Sequence, residues 1–228
     1  MLALDAQGRL ILCEHGNRRI TRLERDGSRT VLADRYQGRR LNSPNDVSIS
    51  SKGHLYFTDP PFGLPGSFDD PHKEQTFTGV YRLEKQGDPQ LLIDDLRCAN
   101  GVALSPDEKT LYVANAEAGN PVWMAYDLDE RGRLTGKSRV FFDARPWVGK
   151  HPGLPDGLKV DRKGHLFASG PGGIYVFTPA GEYLGTIVLG VATSNCNFGG
   201  SDGQGLFITA STAIYRVRLS PTERPAAR

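Results

Sequence analysis

The sequence predicts an all-β chain folded as a β-propeller, and three observations carry the prediction. One two-strand template recurs five times along the chain. Gly (27) and Pro (15) are as frequent as many short strands joined by tight turns require. Almost no segment sustains the period of an amphipathic helix.

The template is an apolar alternation, a polar turn and a second apolar alternation. It reads LALDAQGRLILC from Leu2, VSISSKGHLYFT from Val47 and VALSPDEKTLYVA from Val102. It returns as LKVDRKGHLFAS from Leu158 and NFGGSDGQGLFIT from Asn197. The second strands begin at Leu10, Leu55, Leu111, Leu166 and Leu206, 40 to 56 residues apart. Two further strand-like runs follow in most units, as in ITRLERDG then RTVLAD, GVYRLEKQG then QLLID, and GGIYVFTPAG then YLGTIVL. Four strands per unit at this period describe propeller blades rather than a solenoid or a sandwich. Each later unit has polar residues leading into its first strand, whereas the first opens directly at Met1-Leu2. Residues 1–228 are therefore read as a single propeller domain with about five blades, the N-terminal blade of a longer protein being absent. A closed five-bladed ring is the rival reading.

Composition narrows the function. Charged residues make up 24% and the net charge is +2 with no run of Lys or Arg, which argues against a nucleic-acid-binding face. No apolar stretch reaches membrane-spanning length and no signal peptide precedes the first strand pattern, so no membrane partner is expected. Cys13, Cys98 and Cys196 lack metal-type spacing and read as buried free thiols in a reducing compartment. The expectation is a cytoplasmic protein, or a periplasmic one if a signal peptide lies upstream. Oligomeric state is not legible.

The repeat also serves as a ruler for polar residues. Asn45 lies two places before Val47, Asn100 two before Val102 and Asp156 two before Leu158. Registering the last unit on Leu206, with one extra turn residue, puts Asn195 at the same position. Innermost strands of a propeller run side by side around its channel, so these four residues are expected to ring one mouth. Carboxamide oxygens with one carboxylate suit a hard divalent cation. Turn formation at Asn100-Gly101 and Asp156-Gly157 is the plainer alternative for each residue alone. The second strands return to the same mouth and end at Glu14-His15, Asp59 and Asn115, which are expected to rim it. The loops 60–66 and 147–151 are expected to lie over that face.

At these residues the sequence resembles the gluconolactonase and regucalcin (senescence marker protein) family of six-bladed propellers. The matching stretches are CEHGNRR (13–19), LNSPNDV (41–47), YFTDPPFG (56–63), ANGVALSPDEKTLYVAN (99–115), LPDGLKVD (154–161) and CNFGG (196–200). The resemblance implies a metal-dependent lactonase with Asn45, Asn100 and Asp156 as metal ligands and Asp156 also as catalytic base. The family's further Glu ligand lies in an EGP motif that this sequence lacks, and Glu14, which ends a second strand, does not match it. The expected cofactor is one divalent ion, Ca²⁺ ahead of Zn²⁺, Mg²⁺ or Mn²⁺, and the expected substrate is a small sugar lactone. His15, Asp46, Asp59 and Asn195 are expected to orient its ring hydroxyls. Two alternatives stay open: a phosphotriesterase-like hydrolase on the same site, and a non-catalytic propeller that binds a metal or ligand.

Overall fold

The computed structural model describes residues 1–85 and 87–219, so the end of the expected domain, residues 220–228, lies outside the described residues. Five antiparallel sheets follow one another along the chain as propeller blades. Blade one is β1 (Leu2–Leu4), β2 (Leu10–Glu14), β3 (Arg19–Leu23) and β4 (Arg29–Ala33). A two-strand hairpin, β5 (Arg35–Tyr36) and β6 (Arg39–Arg40), precedes blade two. That blade is β7 (Val47–Ile49), β8 (Leu55–Asp59), β9 (Gly79–Leu83) and β10 (Gln90–Ile93). Blade three is β11 (Ala99–Leu104), β12 (Thr110–Glu117), β13 (Asn120–Leu128) and β14 (Leu134–Asp143). Blade four is β15 (Leu158–Val160), β16 (Leu166–Gly170), β17 (Gly173–Phe177) and β18 (Tyr183–Val188). Blade five has three strands among the described residues, β19 (Thr193–Gly199), β20 (Gly205–Ala210) and β21 (Ala213–Arg218).

Each blade is a meander of sequential antiparallel strands, joined mostly by short turns and, between β8 and β9, by the long connection 60–78. The first turn of every blade contains a left-handed residue: Gly8, Gly53, Gly164 and Gly203 supply it without steric cost, and Glu108 does so in blade three at φ 57°. The inner strands pack in the order β1, β7, β11, β15, β19 and so define the channel.

Stacking of blades explains which strands are apolar on both faces. LYFTD of β8 and GVYRL of β9 are buried at every position, because a neighbouring blade covers each side of the sheet. The core therefore lies between blades. Ile11, Leu41, Phe57 and Tyr81 join blades one and two, and Tyr56, Val80, Leu111 and Val113 join two and three. Trp123, Leu158, Tyr175 and Phe177 join three and four, and Phe167, Ile174, Leu206 and Ile208 join four and five. No helix among the described residues is long and apolar enough to cross a membrane.

Candidate functional site

Hydrogen-bond register decides which residues share the channel mouth. Val47 pairs with Phe57, Val102 with Val113 and Leu158 with Ala168. One step out, Thr58 N donates to Asp46 O at 3.1 Å and Asn45 N to Thr58 O at 2.8 Å. Blade four repeats this, with Ser169 N to Gly157 O at 2.9 Å and Asp156 N to Ser169 O at 3.1 Å. Asn45, Asn100 and Asp156 thus stand in one register.

Asn195 does not. Cys196 pairs with Ile208 and so takes the place of Val47, which makes Asn195 the counterpart of Asp46. The side chains agree: Asp46 Oδ1 accepts from the Val47 amide and Asn195 Oδ1 from the Cys196 amide, both at 2.8 Å. The last hairpin extends one rung further, to Gly199–Gly205, and so adds two residues where the sequence ruler allowed one. Ser194, at a break in the ladder, occupies the register expected for Asn195.

At this mouth opens a cavity of about 520 Å³. Asn100, Asp156, Thr193, Ser194 and Ser211 provide its polar lining, and Phe62 and Leu154 stand among its apolar residues. The lining includes Asn100 and Asp156 but not Asn45, which is half-buried beside them. Burial pushes the Asp156 carboxyl up to about 7, and the charge of Asp46 pushes the same way. Hydrogen bonding from the Gly157 amide and the Asn100 side chain opposes the shift without cancelling it. Asn100 Oδ1 is buried with no hydrogen-bond partner. A buried acceptor without a donor is costly unless something electropositive reaches it. A carboxylate beside amide oxygens is a donor set for a hard cation, and this orphaned oxygen fits one. Among the described residues no group of three or more His, Cys, Asp or Glu could hold a metal, so any such site relies on amide oxygens.

The remaining expected contacts lie elsewhere. Asp59 is fully buried, its two oxygens accepting from the amides of Asn42 at 2.7 Å and Ser43 at 2.8 Å, and burial pushes its carboxyl up to about 7. It faces the preceding loop rather than the cavity. Asp46 is equally buried and accepts from Val47 and, across the blade boundary, from Val102 at 3.1 Å, with Lys159 Nζ at 4.0 Å. Both carboxylates brace backbone, so neither is placed to orient a ring hydroxyl. His15 is half-buried beneath Gly63, and burial lowers its pKa. Glu14 is held by Thr21, Arg19 and Asn17, and these bonds outweigh its desolvation and bring it down to about 2. Asn115 accepts from the Cys98 amide at 3.0 Å.

A girdle of hydroxyls escaped the sequence reading. Thr58 Oγ1 donates to Asn100 O at 2.6 Å and Ser169 Oγ to Ser194 O at 3.1 Å, so each ties its blade to the entrance of the next. Thr209 Oγ1 donates to Asn195 O at 3.3 Å within its own blade. All three stand three places after the Leu that opens a second strand, a signal the repeat did contain.

The entrances also approach each other closely. A Cβ on Gly101 would lie 2.1 Å from the Asp156 carbonyl oxygen, and one on Gly157 would lie 1.7 Å from Asn195 Nδ2. Because the first obstacle is backbone, Gly101→Ala is expected to destabilise the protein by roughly 1–3 kcal/mol or more, read as a lower thermal midpoint. Gly136→Ala is a poor control, since φ there is 85°; Gly119, with open space around it, is the right comparison.

Known proteins resemble this chain in sequence and fold. A gluconolactonase of Zymomonas mobilis is 42% identical over 221 residues, covering 95% of this chain and 62% of its own. The lactonohydrolase oryL of Aspergillus oryzae is 26% identical over 208 residues, covering 84% of this chain and 48% of its own. The chain thus spans less than two thirds of the length of these curated relatives. Among solved structures, a gluconolactonase of Xanthomonas campestris superposes with a TM-score of 0.84 at 40% identity, covering 96% of this chain and 71% of that one. Residues 1–212, which include every strand of the five entrances, match the family described as the SMP-30/Gluconolactonase/LRE-like region. With that match over most of its length, the chain belongs to the SMP-30/gluconolactonase/LRE-like family.

Proposed function

We propose that the protein hydrolyses a sugar lactone at the channel mouth, with Asp156 as general base and a divalent cation, Ca²⁺ first, held by Asn100, Asp156 and Asn45. The observation that carries this reading is the pairing of an orphaned, buried Asn100 Oδ1 with an Asp156 carboxyl pushed up to about 7 on the wall of one cavity. The gluconolactonase relatives support the choice of substrate class. A bound cation would supply charge stabilisation where negative charge develops on the carbonyl oxygen.

The chain's own residues do the rest. Burial and the charge of Asp46 both raise the Asp156 carboxyl, which makes the carboxylate a stronger base toward the attacking water, and the proton it takes can pass to the leaving ring oxygen. The hydroxyls of Ser211 and of Ser194, which also bonds Thr209, are the candidate partners for ring hydroxyls in place of Asp46, Asp59, Asn195 and His15, whereas buried Thr193 donates its hydroxyl to Val191 O. The Thr58 and Ser169 ties hold the entrances at fixed spacing and keep the site preorganised.

Two measurements test the reading. Turnover of glucono-1,5-lactone against that of a phosphotriester separates a lactonase from the rival hydrolase. Ca²⁺ added to chelator-treated protein is expected to raise the thermal midpoint, by up to about 2.7 kcal/mol of stabilisation at a hundredfold excess over Kd. Asn100→Ala is expected to remove that rise. A rise that survives Asn100→Ala would place the cation elsewhere.

A further inference from the structure

We propose that Phe62 is a specificity-determining platform, on which the C–H face of a cyclic, polyhydroxylated ligand stacks while its hydroxyls meet Ser194 and Ser211. The inference rests on the lactonase reading for the site and goes further, in naming what selects the ring.

The cavity has two kinds of lining. Hydroxyls come from blade five, and a phenyl ring comes from the loop after β8. A ligand that satisfies both has one apolar face and a polar edge, which describes a sugar-derived ring and not a simple alkyl ester. Phe62 is 36% exposed.

Three contacts hold it outward. It lies on a 3-10 turn, Pro61–Gly63, closed by Leu64 N donating to Pro61 O at 3.1 Å. Its ring meets Phe68 edge-on, with centroids 6.2 Å apart at 76°, and Arg97 caps the Phe68 ring at 4.8 Å. Arg97 lies three residues before Asn100, so the stack couples the phenyl to the strand that carries a candidate metal ligand.

The turn itself is clamped. Ser43 Oγ donates to Pro60 O at 2.5 Å and accepts from Gly63 N at 2.8 Å, while a Cβ on Gly63 would lie 2.7 Å from that of His15. An aromatic side chain has few rotamers to lose, and a fixed turn costs nothing further to order when a ligand arrives.

The test uses this chain, its Phe62→Ala and Phe62→Tyr variants, and two probes: glucono-1,5-lactone for turnover and the non-hydrolysable glucono-1,5-lactam for binding by calorimetry. Phe62→Ala is expected to raise KM for the lactone and Kd for the lactam roughly five- to tenfold with kcat within about twofold, the scale of one lost ring contact. Phe62→Tyr, which keeps the platform, is expected to restore both. Lactone turnover with parental KM and parental lactam Kd in Phe62→Ala overturns the platform and leaves the lactonase reading standing. Lactam binding that depends on Phe62, without turnover in the parent protein, supports the platform and removes the lactonase reading. Neither turnover nor binding in the parent protein overturns both.

Discussion

Asp156→Asn is expected to lower lactone turnover by on the order of 10²–10⁴-fold, the loss that follows removal of a positioned general base. The amide retains shape and one acceptor oxygen but cannot take a proton. The same change is expected to leave the thermal midpoint unchanged or higher. Burial and the charge of Asp46 raise the Asp156 carboxyl from its ordinary value to about 7, so the folded state disfavours the ionised form. A carboxyl raised in this way contributes stability that is complete below its unfolded value and lost as pH rises through about 7. Chelator-treated protein should therefore melt lower at pH 8 than at pH 5, and Asp156→Asn should lessen that difference. Parental kcat/KM in the variant would remove Asp156 from the mechanism.

Asp59→Ala is expected to be the opposite kind of variant, destabilised first and inactive only as a consequence. Asp59 is fully buried and both of its oxygens are engaged by the Asn42 and Ser43 amides. Truncation leaves two buried donors without acceptors, at roughly 1–3 kcal/mol each. A total of about 2–6 kcal/mol corresponds to roughly 4–24 °C in Tm for a domain of this size. The damage should spread to the cavity, because Ser43 holds the Pro60 carbonyl and the Gly63 amide of the loop that carries Phe62. Thermal melts read beside KM for the lactone check this: loss of turnover at an unchanged midpoint would return Asp59 to the substrate.

The contrast between these two aspartates shows what sequence can reveal. Both end or begin strands at the channel mouth, and position alone gives them equal claims on a ligand. The repeat ruler located Asn45, Asn100 and Asp156 because their hairpins differ only in turn length. It missed Asn195 because the last hairpin gains a rung on both strands, and one residue of slip exchanges the two faces of a strand. The direction of Asp59 was not legible, since it is set by the Asn42 and Ser43 backbone amides of the entering loop, a contact that blade three repeats from the Cys98 amide to Asn115. Thr58, Ser169 and Thr209 were legible as a third polar row, yet hydroxyls within apolar strands attract less notice than carboxylates. Blade number and order needed only the recurring Leu and Gly positions.

The tight approach at Gly101 and Gly157 divides the molecule into a hub without slack and a circumference with room to spare. An added methyl group meets backbone oxygen at Gly101 and an amide side chain at Gly157, whereas Gly27, Gly87 and Gly136, beside or in outermost strands, face open space. Inserted residues, affinity tags or fluorophores therefore belong at the outer turns. There they can accumulate without altering the spacing on which ion and substrate would depend.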